Sequence, residues 1–364
     1  MKAARRWSLV GTGVVLLVTT PMLVRALPAD DVDTSAANLL EQIRASRTVP
    51  YSGYAESLGN LDLPVSDRFS GPADLVGQRT RIRTWWRGAD DWRVDVIRAT
   101  GETGLYRDVR GTTRWVYESA RATQTPNAEI RLPNASDLVP PTLARRVLQG
   151  ATAREVTRLP AERIAGRTAP GLRLAPSDEQ SAIDHVDVFA DGETGLPLRV
   201  AMVGKDDVRP SLSSTFVDVS MKKPAAEDTR FTQPPGVNLG FDEAIDIAAA
   251  ADRFAPVTPP ERLAGLESRR DNPVGAVGLY GRGPTFLIAV PLWGRAARPL
   301  RKQLSTTPGV QVTTAGTQLT AGPLSLVLTD PGRRGQAWLL SGTVTDDALT
   351  KAAAELPDNP RRFR

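Results

Sequence analysis

Hydrophobic and polar positions change their period several times along the chain, and each change predicts an element. Between Ser35 and Ser46, Ala36, Leu39, Leu40 and Ile43 fall on one side of a helical wheel, with Asn38, Glu41, Gln42 and Arg44 opposite. This is the pattern of an amphipathic helix. From Tyr51 to about Ser119 the period shortens to two. Trp92, Val94 and Val96 share one strand face while Arg93 and Asp95 take the other, and Trp115 and Tyr117 alternate around Val116. Gly101-Glu102-Thr103-Gly104 and Arg110-Gly111-Thr112 read as hairpin turns of an antiparallel meander. Pro140 and Pro141 then open a short helix carrying Leu143, Val147 and Leu148, with Gly150 placed to end it as a left-handed cap. Strand signals resume over 155–159, 171–174, 183–189, 198–203 and 213–219. Long antiparallel strands interrupted by one helix and preceded by another predict an α+β fold: an antiparallel half-barrel covered by helices.

The pattern then divides. A Pro-rich and Ala-rich connector is expected over 239–272, with a helical portion from Phe241 to Ala251. A smaller α+β unit is expected over 273–356. Its strands fall at 274–280, 285–290, 310–314, 324–328 and 337–341, with an Arg-bearing helix from Trp293 to Leu304. A last helix starts behind Thr345 and stops at Pro357. Residues 357–364 form a basic tail.

The N-terminus carries an export signal. Lys2, Arg5 and Arg6 precede an uncharged stretch of 18 residues from Trp7 to Val24. Positive before apolar keeps the N-terminus in the cytoplasm and sends the rest outward. The stretch is interrupted by Thr19, Thr20 and Pro21 and falls short of a span of about 20 residues. Residues 1–29 are therefore expected to be a signal peptide or an uncleaved signal anchor, and both remain open. The chain has no cysteine, which removes disulfides, thiol chemistry and a lipidated Cys anchor.

Composition narrows the functional class. The 364 residues are 41% hydrophobic and 24% charged, with a formal charge of +5 spread through the chain, which is ordinary globular composition. No Lys/Arg face interleaved with aromatics stands out, so nucleic acid is not an expected partner. His185 is the one histidine, and with Asp187 on the same strand face it falls short of the ligand set that a metal site needs. No G-x-S-x-G elbow exists. Gly281 and Gly283 lack the third glycine of a dinucleotide loop, Phe286 standing there, and Pro284 leads into a strand instead of a helix. Gly204-Lys205 lacks the earlier glycine of a P-loop. The sequence therefore predicts no catalytic residue, no metal site and no cofactor.

Three stretches carry a resemblance. "ERIAGRTAPGLRLAPSDEQSAIDHVDVFADGETGLPLRVAM" from Glu162 to Met202, "STFVDVSMKKPAAEDTRFTQPPGV" downstream and "LLEQIRASRTVPYSGYAES" upstream resemble the LolA/RseB family, over roughly residues 35–238. The resemblance implies a half-barrel around an apolar cavity that takes lipid acyl chains, lipoproteins or related amphiphiles. In the RseB-like branch it implies a smaller C-terminal domain that contacts a membrane-bound regulator of a sigma factor. Within such a fold the clustered aromatics admit two readings. They are sheet core, or Trp92, Val94, Val96, Trp115 and Tyr117 line the cavity, with Leu143, Val147 and Leu148 closing its mouth. The expected function is binding a lipid or lipoprotein acyl chain at the outer side of the cytoplasmic membrane, with carriage of that chain as its extension. A stress sensor that holds a regulatory protein and an accessory envelope protein without ligand are the alternatives.

Overall fold

The computed structural model describes residues 33–61, 75–127, 131–241, 257–269, 276–332 and 336–356. The expected export segment, the connector helix beyond Phe241 and the basic tail lie outside the described residues.

Helix α1 (Ala36–Ala45) forms where the wheel predicts it. The Ser35 side chain accepts a hydrogen bond from the Asn38 amide at 3.1 Å, and Leu39, Leu40 and Ile43 are buried. Capping satisfies an amide that the first turn would leave without a partner. Eleven antiparallel strands follow: β1 (Tyr51–Gly59), β2 (Arg79–Gly88), β3 (Asp91–Arg98), β4 (Gly101–Asp108), β5 (Gly111–Val116), β6 (Arg121–Thr125), β7 (Val156–Ile164), β8 (Arg167–Leu174), β9 (Ile183–Ala190), β10 (Pro197–Gly204) and β11 (Leu212–Ser220). β1 to β6 make one meander and β7 to β11 another. Pairing of β1 with β11 fuses them into one sheet, ordered β12-β6-β5-β4-β3-β2-β1-β11-β10-β9-β8-β7, in which the short β12 (Leu239–Phe241) runs parallel to β6.

The sheet curls but does not close, because its edges β12 and β7 do not pair with each other. Register shifts in β1 at Tyr54/Ala55, in β2 at Trp86/Gly88, in β7 at Leu159/Glu162 and at both ends of β10 accompany the curl. An extra residue on one strand bends and twists it. Helix α2 (Pro140–Val147), in the long β6–β7 connection, packs on β10 and β11, while α1 packs on β7 and β8. This is an α+β half-barrel with helices on its concave side.

The family-like stretches meet in space. Ala165 and Gly166 turn β7 into β8 with φ of 51° and 75°. Arg167 then reaches the Asp191 carboxylate and lies 2.8 Å from that of Glu193. Asp191 Oδ1 also accepts from the Thr194 amide at 2.9 Å. Gly195, at φ +70°, sits so close to α1 that a Cβ there would lie 2.6 Å from the Gln42 carbonyl oxygen. Only glycine tolerates both the angle and the approach.

One turn expected from the sequence is corrected. Gly101–Gly104 is not a turn but the start of β4; the reversal is made by Ala99 and Thr100.

The rest forms a second layered unit. A small hairpin, β13 (Arg262–Leu263) and β14 (Leu266–Glu267), precedes a six-stranded sheet. That sheet contains β15 (Gly278–Arg282), β16 (Thr285–Trp293), β17 (Gln311–Thr313), β18 (Gly316–Ala321), β19 (Leu324–Leu328) and β20 (Gln336–Gly342), in the order β15-β16-β20-β19-β18-β17. β18 has no counterpart among the expected strands. Helix α4 (Gly294–Ser305) and helix α5 (Asp346–Glu355) pack against this sheet, and α3 (Ala226–Thr229) is a single turn before β12. Thr345 caps α5 and Asp346 and Asp347 occupy its first turn, where carboxylates favour the helix dipole. A core around Tyr280, Leu287, Trp338, Leu340 and Leu349 holds the unit together. The two sheets are stitched where Ala182 donates to the Thr343 carbonyl at 3.0 Å and Thr345 donates to that of Gln180 at 2.8 Å.

Candidate functional site

The concave side of the half-barrel is filled on one flank and open on the other. On the β8–β10 flank, Leu143 and Val147 of α2 and the following Leu148 pack with Leu39, Leu40 and Ile43 of α1 onto Leu172, Val186 and Val188. On the β2–β6 flank a cavity of about 970 Å³ lies between the sheet, α2 and the chain leading into it.

Strand period sets the wall. Thr84 and Trp86 of β2, Trp92, Val94 and Val96 of β3, Thr103, Leu105 and Arg107 of β4, and Thr112 and Arg114 of β5 all face inward. Alternate residues share a face, and directly paired residues share it across strands. Val94 pairs with Leu105, and Leu105 with Arg114. Tyr51 stacks on Trp86 at 6.1 Å between centroids, and Trp86 on Trp92 at 6.4 Å. Three nearly parallel rings thus form an aromatic row across β1, β2 and β3, and the Trp92 indole N–H donates to the Ala89 carbonyl at 3.1 Å.

Of the residues expected at the cavity, Trp92, Val94 and Val96 line it. Trp115 and Tyr117 do not. Trp115 pairs with Gly104, which pairs with Asp95, so Trp115 lies on the convex face. There it is buried against Phe231, with Tyr106 and Ala122. Tyr117 follows β5, and its hydroxyl sits 3.1 Å from that of Tyr106. Leu143, Val147 and Leu148 belong to the filled flank. The helix turns a different face to the cavity: Val139, Thr142, Arg145, Arg146 and Gln149. The sequence reading missed Tyr51, Thr84, Trp86 and this polar helix face. The available signal was adjacency, since Trp85 and Trp86 must face opposite sides, and pairing of β2 with β3 puts Trp86 beside Trp92.

The lining is strongly basic. Seven arginines, at 47, 98, 107, 114, 131, 145 and 146, line the cavity, and no carboxylate is among the described lining residues. Arg107 reaches Asp90 at 3.2 Å, and Arg131 and Arg146 converge on Asp137 at 2.7 and 2.9 Å. Burial would raise the Asp137 pKa, but hydrogen bonding from Arg131 and the charges of both arginines hold it below the ordinary carboxylate value. Arg145 pairs with no carboxylate among the described residues; its guanidinium lies 4.7 Å over the Trp86 ring, and burial lowers its pKa. A cation over an indole face is favourable without an anion.

His185 lies away from the cavity, its Nδ1 2.6 Å from Asp184 and its Nε2 3.8 Å from Asp187. Among the described residues no three His, Asp or Glu side chains gather as a metal site. No helix among them is long and apolar enough to cross a membrane.

No family model matches the chain, and no curated protein matches it. Solved structures do. A chain of the Pseudomonas aeruginosa MucA/MucB complex is similar over 87% of this chain and 96% of its own length, at 16% identity and a TM-score of 0.49. MucB in complex with MucA(peri) is similar over 87% and 97%, at 17% identity and a TM-score of 0.47. A LolA superfamily protein of Nitrosomonas europaea is similar over 54% of this chain and 98% of its own, at 10% identity and a TM-score of 0.26.

Proposed function

We propose that this chain is a non-enzymatic envelope protein that holds the acyl chains of a lipid or lipoprotein in the open flank of its half-barrel. The observation that carries this reading is the cavity of about 970 Å³, walled by Tyr51, Trp86, Trp92, Val94, Val96 and Leu105. A concave, largely apolar chamber of a few hundred to about 1,000 Å³ is what small amphiphiles require. Each methylene moved from water into it contributes about 0.8 kcal/mol. The described lining residues are apolar walls and arginine donors, the groups that an amphiphile needs for uptake. Lys2, Arg5 and Arg6 before the Trp7–Val24 stretch support action at the outer side of the cytoplasmic membrane, whether the leader is retained or removed.

A second reading, a sensor that passes the state of the cavity to a membrane-bound regulatory protein, is favoured by one contact. Arg282 of the second unit donates to the Gly150 carbonyl at 2.9 Å, and a Cβ on Gly283 would lie 2.7 Å from that of Val147. The second unit therefore rests on the end of α2, the helix that roofs the cavity.

Native mass spectrometry of the full chain, purified from envelopes, tests the first reading. Bound lipid-mass adducts are expected. Protein that neither carries nor takes up lipid from vesicles contradicts it.

A further inference from the structure

Two buried hydroxyls on the cavity wall lack hydrogen-bond partners. Tyr51 and Thr84 are each 1% exposed, both line the cavity, and neither Tyr51 Oη nor Thr84 Oγ1 makes a hydrogen bond. The two hydroxyls are neighbours: burial pushes the Tyr51 phenol well up, against smaller opposing effects of the Arg145 charge and of Thr84. A buried hydroxyl without a partner is costly, so native proteins keep few of them. Beside them stands Arg145. Its Nε donates to the Pro141 carbonyl at 3.0 Å and its Nη2 to Thr142 Oγ1 at 3.4 Å, while its Nη1 has no partner among the described residues.

We infer that Tyr51 Oη, Thr84 Oγ1 and the Arg145 guanidinium form an oxyanion subsite in the cavity wall, so that the amphiphile taken up carries a phosphate or carboxylate head. The inference rests on the lipid-binding reading above and adds the chemistry of the head. All three groups can donate a hydrogen bond to one acceptor, and a guanidinium offers donors only. The half-buried Arg145 guanidinium keeps a donor free for an anion, and charge-assisted bonds are about twice as strong as neutral ones. The aromatic row fixes the position: Tyr51 and Arg145 both lie against Trp86, at 6.1 Å and 4.7 Å from its ring centroid. The subsite thus sits beside the Trp86–Trp92 surface, where an acyl chain would lie. The other lining arginines raise the local concentration of anions at the cavity without fixing one atom of the ligand.

The test exposes the full chain to phosphatidylcholine vesicles doped equally with palmitate, dipalmitoyl phosphatidic acid and dipalmitoylglycerol, and reads captured lipid by native mass spectrometry. At least one anionic lipid is expected to be captured about tenfold over the neutral one, the effect of one or two charge-assisted bonds. Which anion dominates tells carboxylate from phosphate. Tyr51→Phe and Thr84→Val keep ring and volume and remove only the hydroxyls. They are expected to abolish the preference for the anionic lipid over the neutral one and to leave Tm the same or higher, since a hydroxyl without a partner adds no stability to the empty protein. A fall in Tm with the preference intact shows a structural role and overturns the subsite. Equal capture of all three lipids by the wild type also overturns it while leaving the cavity reading in place. Capture of none removes both.

Discussion

The Arg282 guanidinium on β15 closes on the Glu155 carboxylate at the foot of β7, with Nη1 2.9 Å from Oε2, and so ties the second unit to the half-barrel. Glu155 is almost buried, and it also accepts from the Thr152 amide at 2.8 Å and from Ser177 Oγ at 2.8 Å. The pair stands at the end of α2, where the roof of the cavity meets the second sheet.

This clasp predicts a pH response. Hydrogen bonding from Arg282 leads the causes that hold the Glu155 pKa far below its ordinary value of 4.5, against the opposing effect of burial. A depressed folded-state pKa contributes stability that is present above the unfolded value and is lost as pH falls below it toward the folded value. Docking of the two units is therefore expected to weaken progressively below about pH 4.5, and Glu155→Gln to remove that part of the acid dependence. Arg282→Ala is expected to cost about 2 kcal/mol. Chemical denaturation followed across pH checks both; an unchanged acid limb in Glu155→Gln refutes the assignment.

Asp137 anchors the other end of the roof. It is buried, it accepts from the Asn134 amide at 2.8 Å, and it holds Arg131 and Arg146. Asp137→Asn keeps the size and loses the charge, and it is expected to lower stability by about 2 kcal/mol, since bonds to charged groups are the stronger ones. Its pKa is depressed, so this contribution too is present at neutral pH and lost in acid. Urea midpoints at pH 7 and pH 3 measure it: the gap between wild type and variant should narrow in acid.

Trp92 and Trp115 separate binding from folding. Trp92→Glu places a carboxylate on the cavity wall beside Trp86 and is expected to lower lipid uptake at least about tenfold in folded protein. Unchanged uptake would mean that the ligand lies elsewhere. Trp115→Ala opens the convex cluster with Phe231 and is expected to cost about 3–5 kcal/mol. In whatever fraction remains folded, uptake per molecule should match the wild type.

Which tryptophan faces the cavity depended on a turn. The alternation Trp92, Val94, Val96 and the helix behind Pro140 are legible because period and proline placement are local properties. Assigning Trp115 to the same face as Trp92 required the register from β3 through β4 to β5, and a one-residue slip exchanges the faces. The two glycines of Gly101–Gly104 suggested the reversal, yet Ala99 and Thr100 make it and Gly101 already pairs with Arg98. The α2 assignment erred for a related reason. Leu143, Val147 and Leu148 are the apolar stripe of the helix, and an apolar stripe seeks the tightest core, here the α1 flank. The polar stripe with Arg145 was left to roof the cavity. Tyr51 carried no local mark, because its role depends on pairing with Trp86 across β1 and β2.

The most direct measurement of the central claim is quenching of tryptophan fluorescence by palmitate brominated along its chain, added to the full protein. Saturable quenching is expected, with most of it lost when Trp86 and Trp92 are both replaced by phenylalanine and little of it lost when Trp115 is replaced. Absence of saturable quenching, or quenching that survives the Trp86/Trp92 replacement intact, would contradict an acyl chain lying against that aromatic row.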